Sequence, residues 1–210
     1  MTDVNYPEFA EWSWLQTPFQ QLQSQVKQDR LAHAYFLQGG AGLGGEVLVK
    51  QFAKWQFCEK PKATAACQQC RPCRQVKLGI HPDFTLIVPD GTQIKIQQIR
   101  DLVERASLTA ISSPIKIYCI AYAEQLNHAA ANALLKFLEE PAGETVIFLL
   151  SEKPAQVLAT LKSRCQRLIL PQPSLQQFKS WLMLLGHGYD DATWQQLARV
   201  THRQPLLATT

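Results

Sequence analysis

Five glycines in seven residues, Gly39-Gly40-Ala41-Gly42-Leu43-Gly44-Gly45, constrain this chain more than any other stretch of it. The short apolar run Tyr35-Phe36-Leu37 enters the loop, and Val47 to Phe57 leaves it with apolar residues at helical spacing. Strand, glycine loop and helix, in that order, form the setting in which backbone cradles phosphate. Glycines let successive N–H groups point at one anion, and the helix N-terminus adds its dipole. The phosphate-loop pattern G-x-x-x-x-G-K-[ST] is met at Gly39 and Gly44, but Gly45 stands where the lysine belongs and Glu46 where the hydroxyl belongs. Losing a cation and adding a carboxylate beside a polyanion is unfavourable by about 1–4 kcal/mol, depending on the effective dielectric. A plain glycine turn between strand and helix is the competing reading of the same residues.

The second constraint is the cysteine pattern. Six cysteines occur in 210 residues, and four of them, Cys58, Cys67, Cys70 and Cys73, follow the spacing C-x8-C-x2-C-x2-C. A secreted disulfide scaffold would be shorter, with cysteines more evenly scattered. Four thiolates suit tetrahedral Zn²⁺, with C-x2-C hairpins whose N–H groups support the sulfurs. The alternatives are an iron–sulfur cluster, whose usual spacing is missing, and free reduced thiols. Residues Glu59 to Ala63 are loop-like and bury little without a metal. Cys119 lies in an apolar run and reads as core, and Cys165 as packed beneath a turn.

No run of 18 apolar residues is present, so no membrane span is expected. The opening Met1-Thr2-Asp3 has neither a basic n-region nor an apolar h-region, so no signal peptide is expected. A formal charge of +4 tolerates a nucleic-acid partner without arguing for one. Hydrophobic content of 46% suffices for a sizeable core.

Along the chain, Trp12 to Asp29 reads as a helix with Phe19, Leu22 and Val26 on one face and Pro18 in its first turn. His33 reads as packed or capping. Strands are expected at Phe84–Val88, Ile115–Ala121, Thr145–Leu150 and Arg167–Leu170, the second continuously apolar as in a central parallel strand. Helices are expected at Ile96–Ala106 and His128–Glu140, the latter broken by Pro141. Alternating strands and helices imply a parallel α/β sheet. Near Pro171-Gln172-Pro173 the pattern becomes helical only, with Leu175, Phe178, Trp181, Leu182 and Leu185 on one face and Trp194, Leu197 and Val200 on another. The expected division is therefore 1–170 as a core domain, with a zinc module at 58–73, and 171–210 as a helical domain that is not complete. No internal repeat or low-complexity tract is visible.

Several motifs together resemble one family. They are Leu31-Ala32-His33-Ala34, the four-cysteine insert, His81-Pro82-Asp83, the segment from Ala131 to Pro141 reading ANALLKFLEEP, and Ser163-Arg164-Cys165. These resemble bacterial clamp-loader subunits of DNA polymerase III, and among them the delta-prime family, over residues 12 to 210. The resemblance implies an AAA+ fold followed by the first part of a helical lid. The family's carboxy-terminal collar has no counterpart here, so a piece of a longer protein is expected. Relatives of the ATP-hydrolysing tau/gamma type keep the loop lysine and an acidic pair ending the third strand. Here the matching positions are Ala121 and Tyr122, with Glu124 two residues off register. With lysine, hydroxyl and acidic pair all replaced, Gly39, Gly42, Gly44 and Gly45 form a degenerate loop, and tight ATP binding is not expected.

By resemblance, the expected function is a non-catalytic stator of the clamp loader, a subunit of the DNA-directed DNA polymerase (nucleotidyltransferase) holoenzyme in the bacterial cytoplasm. It would assemble with tau/gamma and delta subunits and, through them, meet the sliding clamp and primed DNA. Arg164 would serve a neighbouring ATP site as an arginine finger in trans; a helix C-terminal cap is the alternative. Glu139 and Glu140 diverge by about 100° on a helix and read as a solvated end, not as paired catalytic carboxylates. Two other functions stay open. One is an active ATPase of the same fold. The other is a zinc-dependent nucleic-acid binder using Lys54, Lys60, Lys62, Arg71, Arg74 and Lys77, which lacks interleaved aromatics for stacking.

Overall fold

The computed structural model describes residues 6–39 and 41–209, with Ala41 described in its backbone only; Gly40 and the opening Met1-Thr2-Asp3 lie outside the described residues. Five parallel strands form one sheet in the order β2-β3-β4-β1-β5: β1 Ala34–Gln38, β2 Phe84–Ile87, β3 Lys116–Ile120, β4 Thr145–Ser151 and β5 Gln166–Ile169. Registers such as Phe36 opposite Leu149 and Cys119 opposite Phe148 align the three inner strands. Helices α1 Gln16–Lys27, α2 Gly45–Phe57, α3 Arg71–Leu78, α4 Ile96–Ser107, α5 His128–Glu139, α6 Ala159–Ser163, α7 Leu175–Leu184 and α8 Asp191–Val200 connect and follow them.

Successive strand side chains point to opposite faces, and the sheet is buried on both. Tyr35, Leu37, Ile117, Cys119, Val146 and Phe148 join one core with Leu22, Phe52, Phe178 and Trp181. Ala34, Phe36, Tyr118, Ile120, Ile147 and Leu149 join the other with Ile99, Leu102, Leu134 and Phe137. The first face is covered by α1, α2 and α7, the second by α4 and α5. Among the described residues no helix is long and apolar enough to cross a membrane.

Helix starts follow from local chemistry. Asn127 accepts from the Ala130 N–H at 2.8 Å, and Ser174 and Asp190 cap α7 and α8 in the same way.

Four expectations need correction. The zinc segment contains α3 rather than hairpins alone, because Pro72 favours a first turn and Gly79, left-handed at φ +71°, ends the helix. The strand at 115–121 is not wholly apolar. Lys116 is buried within it, its ammonium donating to the carbonyls of Arg105 (2.6 Å), Ala106 (3.1 Å) and Leu108 at the end of α4. The His33 side chain is exposed, and its carbonyl accepts from the Ile147 N–H at 2.8 Å. On α8 the buried positions are Trp194 and Ala198, whereas Val200 is exposed, since the helix packs by only its inward face.

Candidate functional site

Strand β1 brings the chain to the glycine loop at the carboxyl end of the sheet, where open parallel sheets bind ligands. In this chain the loop is packed shut by its own residues. Gly44 is left-handed (φ +84°), and a β-carbon there would lie 2.4 Å from the ring of Trp12. A β-carbon on Gly42 would meet Cβ of Gln204 at 2.5 Å and Cγ of Leu207 at 2.9 Å. A β-carbon on Gly39 or Gly45 would meet Leu170 less severely, at 2.9 and 3.2 Å. The N–H of Gly42, one of the donors such a loop would aim at an anion, goes instead to Oε1 of Gln204 at 3.2 Å. On the other side Trp14 donates its indole N–H to the Leu43 carbonyl at 2.9 Å. Gly44 therefore serves close packing with the amino-terminal turn, Gly42 with residues 204–207, and Gly39 and Gly45 with Leu170. Nothing in the local sequence signals the contact with Gln204 across 162 positions.

Carboxylates gather around Tyr122, just past the end of β3. Glu46, in the first turn of α2, pairs with Lys50 at 2.6 Å. Ala121 and Tyr122 follow β3 without a carboxylate, and Tyr122 is itself left-handed at φ +59°. Burial first, then the carboxylates of Glu152, Glu46 and Glu124, push the Tyr122 phenol above its usual pKa. Glu124 accepts from the Glu152 N–H at 3.3 Å. These carboxylates make the neighbourhood unfavourable for a polyphosphate.

The cysteines converge. The sulfurs of Cys58, Cys67, Cys70 and Cys73 all lie within 4.8 Å of one another. The Cys58–Cys70 separation is 3.9 Å, close to the ~3.8 Å edge of a tetrahedron with ~2.3 Å metal–sulfur bonds. Backbone donors support the set: the Cys67 N–H points to Cys58 Sγ and the Cys70 N–H to Cys67 Sγ, each at 3.3 Å. The N–H groups of Gln69 and Cys70 hold the Cys67 thiol down at about 6, ready to ligate as thiolate at neutral pH. Burial pushes Cys58 and Cys73 up, a penalty that a bound cation would offset. The arrangement fits a closed four-sulfur metal site that all four residues would share.

The module is anchored to the core. Phe57, next to Cys58, stacks on His81 with ring centroids 4.3 Å apart. His81 Nδ1 accepts from the Asp83 N–H at 3.1 Å, and burial pulls its imidazole below the usual pKa against the pull of the Asp83 carboxylate. Of the residues expected to form a basic face, Lys54 turns inward to Gln68 Oε1 at 3.1 Å, while Lys60, Lys62, Arg71, Arg74 and Lys77 are exposed. Cys119 and Cys165 are core residues; burial raises Cys165 to about 12.

Arg164 terminates α6 at the surface. One terminal nitrogen donates to the Thr160 carbonyl at 3.1 Å, as a helix cap would. The other meets Oε1 of Glu139 at 2.6 Å, with side chains 36% and 51% exposed. Glu139 is thus a partner of Arg164 rather than a merely solvated helix end, which helical periodicity could not show. Glu140 is exposed.

A family model described as "DNA polymerase III, delta subunit" matches residues 14–174. The chain is 38% identical over 199 residues to DNA polymerase III subunit delta-prime of Pseudomonas aeruginosa, covering 94% of this chain and 60% of that protein. It is 43% identical over 147 residues to the Bacillus subtilis subunit of the same name, covering 70% and 44%, and 33% over 173 residues to that of Escherichia coli, covering 81% and 52%. The chain spans about half the length of these curated relatives. Among solved structures, a DNA polymerase III gamma subunit-related protein of Thermotoga maritima superposes with a TM-score of 0.55 at 18% identity, covering 91% of this chain and 69% of that one. The RuvB Holliday junction branch migration motor of the same organism gives 0.54 at 13%, covering 99% and 61%. At such identities these two speak for the fold alone, an AAA+ sheet with flanking helices. Family model and curated relatives agree, and the chain belongs to the DNA polymerase III delta-subunit family, with relatives of the delta-prime type.

Proposed function

We propose that this chain is a non-catalytic stator of the DNA polymerase III clamp loader. It would assemble with tau/gamma and delta subunits, help place the sliding clamp on primed DNA, and present Arg164 to the ATP site of a neighbouring subunit. The observation that carries this reading is the contrast between two places. The loop that would hold this chain's own phosphate is closed by Trp12, Gln204 and Leu207, with its Gly42 N–H already bonded. The guanidinium that would serve a phosphate stands at the surface on the rim formed by α5 and α6. Residues 1–170 act as the rigid core in this reading, 171–210 as the start of a lid, and the four cysteines hold a structural Zn²⁺, with no open position for water chemistry.

A planar guanidinium meeting a γ-phosphate in trans is typically worth 10³–10⁵ in rate. In the assembled complex, Arg164→Ala is expected to leave zinc content, melting temperature and assembly nearly unchanged while sharply lowering ATP hydrolysis at the adjacent site. Arg164→Lys should not restore it, because a point charge cannot reproduce bidentate phosphate contact. Wild-type hydrolysis and clamp loading by the alanine variant would rule the assignment out.

A further inference from the structure

Glu139 ends α5, where a carboxylate works against the helix dipole and adds a second acidic charge beside Glu140. Local helix stability therefore gives no reason for an acid at this position. What the carboxylate does is hold Arg164: its Oε1 is 2.6 Å from one terminal nitrogen, while the Thr160 carbonyl holds the other at 3.1 Å. The two acceptors come from different helices, α5 and α6, so they fix the guanidinium plane relative to both. A guanidinium carries five N–H donors. Among the described residues two are used here, which leaves three for an incoming anion, and the side chain is still 36% exposed.

We infer that Glu139 is a positioning residue for Arg164, orienting its free donors toward the triphosphate of a neighbouring subunit's nucleotide. This rests on the arginine-finger reading above. Positioning acts on the transition state, where a misplacement of about 1 Å can cost ~10²-fold. A carboxylate partner also fixes the arginine before the neighbour arrives, so the ordering is done in the free subunit.

The test uses the full-length protein reconstituted with its ATPase partner subunits, the other ATP sites being inactivated so that one adjacent site is read. Glu139→Ala is expected to lower kcat at that site about ten-fold or more, with KM for ATP changed less than about two-fold. Glu139→Gln, whose amide oxygen still accepts from the guanidinium, should recover most of the rate. The double variant Glu139→Ala/Arg164→Ala should be no slower than Arg164→Ala alone, because the carboxylate acts only through the arginine. A normal rate for Glu139→Ala beside a slow Arg164→Ala would overturn the positioning role and leave the finger standing. Additive losses in the double variant, or equal loss in the alanine and glutamine variants with a lowered melting temperature, would overturn it in favour of a structural effect. A normal rate for Arg164→Ala would remove both readings together.

Discussion

Lys116 shows how a buried cation is tolerated inside a central strand. The last turn of any α-helix leaves carbonyls without partners and gathers partial negative charge. The Lys116 ammonium sits on three such carbonyls at the end of α4. Lys116→Met keeps the apolar stem and removes the donors, leaving the carbonyls buried and unpaired. We expect a loss of about 1.5–3 kcal/mol, read as a lower urea midpoint at unchanged m-value. Asp83 is the acidic counterpart. Burial alone would raise its pKa, but the N–H groups of Ile111 and Ser112 and the hydroxyls of Ser113 and Ser112 outweigh that and hold it below the usual value. A folded pKa below the unfolded value of about 3.9 stabilises the fold above that pH and is lost as pH falls through the folded value. Asp83→Asn should therefore cost about 1–3 kcal/mol at neutral pH and flatten the acid limb of the stability curve. An acid limb as steep as the wild type's would refute the linkage.

The glycine loop and the cysteine module show how one element can be reused. In the loop, glycine is required because Trp12 and Gln204 approach the backbone too closely for any β-carbon, and Gly44 adds a left-handed φ of +84°. These are steric demands, independent of phosphate. In the module, α3 is eight residues long and too short to be stable alone; Cys73 in its first turn and the three other sulfurs would tie it to α2. Metal analysis of protein purified without chelator should give one Zn²⁺ per chain. Stripping it with a strong chelator should speed amide exchange across residues 58–80 while the sheet stays protected. Less than half an equivalent of zinc would count against the site.

Over the whole molecule, one core runs from the amino-terminal tryptophans through α2 and the sheet to α7, so Trp12, Trp14 and Trp181 bury together beside the loop. Emptying the loop would disturb this core as well as break the Gly42–Gln204 bond. Calorimetry with Mg·ATP should show no affinity better than roughly millimolar, near −4 kcal/mol. Micromolar binding would mean that residues 204–207 swing aside at little cost, and the closed-loop account would fail.

Much of this was legible in the amino-acid order itself. Continuous apolar runs placed the inner strands and period-3.6 patterns the main helices, because a strand buried on both faces is apolar almost throughout and burial on a helix stripe must repeat in sequence. The four-cysteine spacing located the cluster of four sulfurs, since side chains close in sequence are easily brought close in space. The missing lysine, hydroxyl and acidic pair were visible for the same reason: each belongs to a local motif. Three things were decided only by tertiary structure. Gln204 reaches Gly42 across 162 positions, Lys116 on β3 meets the end of α4, and Glu139 meets Arg164 across 25. Each joins polar groups on separate elements that packing brings together. A single polar residue carries no period, so its partner is fixed by where the packed cores place it.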